Sequence, residues 1–112
     1  MEDRRQVPRY LSELPVRIIR SSSGEIFLGR ALVLAVRGCA VEGAASLVTG
    51  EKCEVFVEWQ GREIRADAEV AWKNPRGQAG LRFTSVPPES SEALRQLLPN
   101  LRLQPLAQRE ED

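Results

Sequence analysis

The stretch from Cys53 to Trp72 constrains the fold more than any other part of the chain. Cys53, Val55, Val57 and Trp59 fall on one side of an extended backbone, with Lys52, Glu54 and Glu58 on the other. Gln60-Gly61 then supplies a two-residue turn, the glycine taking the positive φ that such a turn demands. The return puts Ile64, Ala66, Ala68, Val70 and Trp72 on one face and Glu63, Arg65, Asp67, Glu69 and Lys73 on the other. Alternation of this kind fits a strand with one face in a core and one in water.

The same period runs from Pro15 to Thr84. Val16, Ile18 and Ile19 form a short β-branched run closed by the Ser21-Ser22-Ser23-Gly24 turn. Between Glu25 and Val36, Ile26, Leu28, Leu32 and Leu34 are expected on one side, with both faces apolar from Ala31 onward. Gly38 interrupts, a short strand resumes over Cys39 to Glu42, and a loop follows from Gly43 to Gly50. Asn74-Pro75-Arg76-Gly77 is a turn, after which Ala79, Leu81 and Phe83 repeat the alternation. Many short strands at this spacing predict a sandwich or a barrel, and closing a barrel removes its exposed edges.

The C-terminal part changes period. Pro87-Pro88-Glu89 suits a first helical turn, Ala93, Leu94, Leu97 and Leu98 recur at helical spacing, and Pro99 marks the end. The division predicted is a flexible arginine-rich arm over residues 1–10, a barrel with its helix over 11–99, and a tail over 100–112.

Composition narrows the chemistry. The charges balance at 16 basic and 16 acidic residues, so no overall field draws the chain to nucleic acid or to an acidic membrane. That balance and the few aromatic residues count against an OB-fold that binds single strands. Arginine carries nearly all the positive charge, since the only lysines are Lys52 and Lys73. A guanidinium can fork onto a phosphate or a guanine edge, and an ammonium cannot.

There is no histidine, which removes the usual general base, the commonest metal ligand and every Ser/His or Cys/His nucleophile pair. Cys39 and Cys53 lack metal-ligand spacing and read as buried apolar residues. Glu54, Glu58, Glu63, Asp67 and Glu69 read as a solvated exterior, with no concave pocket for paired-carboxylate chemistry. The expectation is a binding module and not an enzyme, with no cofactor and no metal.

The charged start, Met1-Glu2-Asp3-Arg4-Arg5, leads into no apolar signal region. Ala31 to Val36 is the longest apolar run, far short of the roughly 20 residues that span a bilayer. No membrane insertion is expected, and a cytoplasmic location is.

Arg5-Gln6-Val7-Pro8-Arg9, followed by this β pattern, resembles the PilZ domain family. Arg5 and Arg9 stand at the two positions of the family's R-x-x-x-R arm, with Arg4 before and Tyr10 after them. Val70-Ala71-Trp72 is similar to the family's apolar-Trp strand ending, and Gly80-Leu81-Arg82-Phe83 to its G-x-x-F strand. The resemblance spans about Arg4 to Leu98. It implies an all-β fold, a six-stranded antiparallel barrel with a C-terminal helix, that receives cyclic di-GMP. The two arginines would grip phosphates and guanine edges, so that ligand binding orders the arm.

The family's second motif, [D/N]-x-S-x-x-G, falls on Val33-Leu34-Ala35-Val36-Arg37-Gly38. Glycine is kept at Gly38, but valine replaces the acid or amide and alanine replaces the serine. Arg37 can add a phosphate contact, yet a cation offers no acceptor to guanine N–H groups. The ligand residues implied are therefore Arg4, Arg5, Arg9, Arg37 and Gly38, with weak binding expected. The alternative is a ligand-independent adaptor for an unidentified protein partner in bacterial motility or envelope regulation. Trp59 and Trp72, on the apolar faces of paired strands, are expected in the core.

Overall fold

The computed structural model describes residues 8–103. Six antiparallel strands form the wall of a barrel: β1 (Tyr10–Arg20), β2 (Ile26–Ala35), β3 (Gly38–Glu42), β4 (Lys52–Trp59), β5 (Arg62–Lys73) and β6 (Gln78–Ser85). Their order around the wall is β2-β3-β6-β5-β4-β1, and β1 pairs back onto β2, so the sheet closes. Helix α1 (Pro88–Leu97) and a 3₁₀ turn (Leu98–Asn100) follow. A two-residue strand, β7 (Arg102–Leu103), then pairs with Tyr10 and Leu11 of β1. All-β architecture, closed barrel and C-terminal helix agree with the sequence reading; β7 is an additional strand.

The β4–β5 hairpin forms as its alternation demands. Cys53, Val55, Val57, Ile64, Ala66, Ala68 and Val70 are all buried, and Trp59 is half-buried against them. Gln60 and Gly61 both take positive φ, +53° and +76°, the backbone of a tight hairpin turn. The opposite face carries arginine–carboxylate pairs: Arg65 to Glu54 at 3.0 Å, Arg17 to Glu63 at 2.8 Å, and Arg82 to Glu69. Arg17 also stacks over Phe56, 4.3 Å from the ring centre.

Two expectations fail because β-bulges invert the phase. In β2, Ile26 and Leu28 are exposed to 56% and 74%, while Leu34 is fully buried. Between Ala31 and Val33 the pairing with β3 slips by one residue, and between Leu11 and Leu14 the pairing with β1 slips too. Residues that share a face before a bulge point to opposite sides after it. Ser12 closes the irregularity from within: its hydroxyl donates to the Ala31 carbonyl at 2.7 Å and accepts the Leu14 N–H at 3.2 Å. The same slip between Val70 and Trp72 turns Trp72 outward, where it is 41% exposed. Trp72 is therefore not a core residue.

Helix α1 starts at Pro88, where a missing N–H costs nothing, with Glu89 in its positive first turn. Ala93, Leu94, Leu97 and the following Leu98 are buried and join the barrel core. Ser90, also buried, accepts the backbone N–H of Arg65 at 3.0 Å and pins the helix to β5. At the opposite end of β1, Arg20 donates to both carboxylate oxygens of Glu51 (3.0 and 3.2 Å), to Glu25 (2.8 Å) and to the Ser46 carbonyl (2.6 Å). That clamp fixes the 43–50 loop.

Candidate ligand site

Arg4 and Arg5 lie outside the described residues. Arg9 is half-buried immediately before β1, and Tyr10 pairs with Leu34 of β2. The Val36-Arg37 turn begins two positions beyond Leu34, so Arg9 enters the barrel beside that turn. Both turn residues are exposed, and the Arg37 carbonyl accepts the Phe83 N–H at 2.8 Å, which ties the turn to β6. Antiparallel pairing thus gathers Arg9, Arg37 and Gly38 at one end of β1, β2 and β3.

Gly38 has a structural reason to be glycine that the motif alone does not give. A Cβ there would lie 2.3 Å from the Leu81 carbonyl oxygen of the paired strand. The requirement is close approach of two backbones, and not a left-handed turn. Arg82 stands directly across from Gly38, and Ala35 pairs with Gly38 from the other side. One cross-strand row therefore reads Ala35, Gly38, Arg82, Glu69.

The row beside it reads Val33, Ala40, Gly80, Trp72. Leu34 points into the core and its neighbour Val33 is half-buried on the outer side, while Ala35, paired with Gly38, is itself buried at 8% exposure. The Trp72 indole lies across Gly80 so closely that a Cβ on Gly80 would be 2.1 Å from Nε1. The G-x-x-F glycine thus makes room for the Trp72 ring. Trp72 and the exposed Arg82 are the two site residues that sequence reasoning placed elsewhere or passed over. The surface joins an indole face, small side chains and guanidinium groups, a combination suited to stacking on a base and to holding a phosphate. At Val33 and Ala35 it has no side-chain acceptor or hydroxyl for a base edge.

Burial pushes the Cys39 thiol up to about 12 and the Cys53 thiol to about 11, so both stay protonated at neutral pH. Among the described residues no group of three or more Cys, Asp or Glu side chains is placed to hold a metal ion. No helix among them is long and apolar enough to cross a membrane.

The family model for the PilZ domain matches residues 3–99. No curated protein sequence matches the chain. Among solved structures, the chain is similar to the PilZ domain of CeSA from a cellulose-synthesizing bacterium. That match has a TM-score of 0.66 at 18% identity and covers 82% of this chain and 95% of the other. It is also similar to the PilZ domain of YcgR from Escherichia coli, solved with c-di-GMP, with a TM-score of 0.68 at 16% identity, covering 88% and 92%. A third similar fold is the Bacillus subtilis inhibitor of motility (MotI/DgrA), with a TM-score of 0.70 at 22% identity. There the match covers 88% of this chain and 51% of the other. With the closed barrel, the C-terminal helix and a family match across nearly its whole length, the chain belongs to the PilZ domain family.

Proposed function

We propose that this chain is a PilZ-type signalling module whose ligand is cyclic di-GMP, bound weakly on the outer face around Gly38. In this reading Arg4, Arg5 and Arg9 hold the ligand from the arm, Arg37 adds positive charge beside Gly38, Arg82 stands there paired with Glu69, and Trp72 offers a stacking face. Membership of the family supports the ligand, and the placement of Arg9, Arg37 and Gly38 at one end of β1, β2 and β3, with Trp72 in the cross-strand row that leads to Val33, is the observation that supports the site. The module acts in the cytoplasm by passing ligand occupancy to a protein partner, and performs no reaction itself.

Weakness follows from Val33 and Ala35. A hydrogen bond to a charged group contributes about 1.5–3 kcal/mol and a neutral one about 0.5–1.5. Lacking one of each costs about 2–4.5 kcal/mol, or roughly 30- to 2000-fold in affinity. Calorimetric titration of cyclic di-GMP into the domain and into an Arg5→Ala/Arg9→Ala variant tests the reading. Saturable heat lost in the variant supports it; no binding up to near-millimolar ligand refutes it.

The same two residues favour a second reading, an adaptor that binds its protein partner without the nucleotide. A partner pull-down unchanged by cyclic di-GMP supports that reading. Loss of every partner contact on adding the dinucleotide counts against it.

A further inference from the structure

Strand β3 ends its pairing with β2 at Arg30 opposite Glu42, four residues short of the start of β2. From Ile26 to Gly29, β2 is paired on one side only, with β1. The Arg20 N–H donates to the Glu25 carbonyl at 2.8 Å, which sets the alternation along this hairpin. The backbone polar groups of Phe27 then face β1 and those of Ile26 and Leu28 face away from it, although Gly43 packs against the Leu28 carbonyl, where a Cβ would lie 2.8 Å from the oxygen. The Ile26 and Leu28 side chains are the two most exposed large apolar groups of β2, at 56% and 74%.

A groove of about 640 Å³ opens at the Leu28–Arg30 part of this strand, with Ile26 outside its lining. Its lining includes Leu28 of β2, Arg76 of the β5–β6 turn, and the three glycines Gly29, Gly43 and Gly77. The backbone is bare at Gly29 because the chain crosses itself there: a Cβ on Gly29 would lie 1.9 Å from the Glu42 carbonyl oxygen. Arg30 on the rim is bonded to Glu42 at 2.8 Å and also lies 3.5 Å from the Glu13 carboxylate, so its charge is compensated. The guanidinium of Arg76 has no bonded partner among the described residues, so it is the positive group the groove leaves available.

We infer that this groove docks an extended segment of a partner protein, with a leucine-type side chain on Leu28 and an acidic side chain on Arg76. The Ile26 backbone and the Leu28 N–H offer main-chain hydrogen bonds, Leu28 supplies apolar contact in the groove with Ile26 just beyond it, and Arg76 selects acid. Exposed apolar residues on an open strand edge invite self-association unless something covers them. The groove sits at the end of β2 opposite Gly38, so a ligand and a partner can occupy the module together. The inference rests on the partner-binding half of the proposed function.

A random-peptide display library panned on the full chain tests it. The expected peptides place Asp or Glu within two residues of Leu, Ile or Phe. Leu28→Asp and Arg76→Glu, both at exposed positions, should each weaken them about tenfold or more, a hot-spot effect. Panning on Arg76→Glu should instead select Lys or Arg. Peptides retained by both variants would overturn the groove while leaving partner binding in place, and so would a library that yields no binder. A concentration-dependent dimer that Leu28→Asp dissociates would also overturn it, by assigning the edge to a second copy; the pull-down above judges the adaptor reading separately.

Discussion

Restoring the missing polar pair should convert a weak site into a strong one. In a Val33→Asp/Ala35→Ser variant the carboxylate stands on the side opposite the buried Leu34, and the hydroxyl replaces a hydrogen of the buried Ala35 methyl beside Gly38. The hydroxyl arrives beside Gly38 and the carboxylate one cross-strand position from Ala40, within the surface that Trp72 borders. Val33 is only half-buried, so the new carboxylate keeps part of its hydration and the fold tolerates it. The gain is the sum of one charged and one neutral hydrogen bond, about 2–4.5 kcal/mol, a tightening of roughly 30- to 2000-fold. Ala35→Ser alone should give about 2- to 13-fold, from the neutral bond of about 0.5–1.5 kcal/mol. Titration calorimetry at one fixed salt concentration reads both. A variant that keeps the wild-type melting transition yet binds within about threefold of wild type would refute the assignment of these positions to the base edge.

Three further outcomes follow from the fold. Gly80→Ala should displace the Trp72 indole, read as altered tryptophan emission and quenching in a Trp59→Phe background; an unchanged spectrum would contradict the Gly80–Trp72 packing. The Arg20 hydrogen bond holds Glu51 below the usual carboxylate range. Its stabilisation is present above the unfolded pKa and fades as pH falls through the folded one. Glu51→Gln should therefore lose stability near neutral pH and depend less on pH in the acid range, by urea midpoints. Cys39 and Cys53, buried and protonated, should resist a thiol reagent in the folded chain and react fully in denaturant; fast native labelling would place them wrongly.

The hairpin from Cys53 to Val70 was legible because each of its strands keeps one unbroken period, and burial follows that period residue by residue. The inward face of β2 and the place of Trp72 were not. A bulge adds one residue without any mark in an apolar run, so Leu34 and Leu28 look alike in sequence and face opposite ways. Strand β7 was illegible for a simpler reason: two residues carry no period. Of the residues of the proposed site, Arg9, Arg37 and Gly38 come from a family motif, whereas Arg82 and Trp72 come from the fold, because they reach Gly38 and Val33 only through cross-strand register. The open edge at Ile26 and Leu28 depends on where β3 stops, which no local pattern encodes.

The central claim is that cyclic di-GMP binds on the outer face around Gly38. The most direct measurement is a ¹⁵N-resolved NMR titration of the chain with that dinucleotide. The account predicts saturable shifts at Arg9 to Leu11, at Val33 to Ala40, at Arg82 and at the Trp72 indole N–H, with the Trp59 indole unmoved. Shifts confined to other surfaces, or none at near-millimolar ligand, would contradict it.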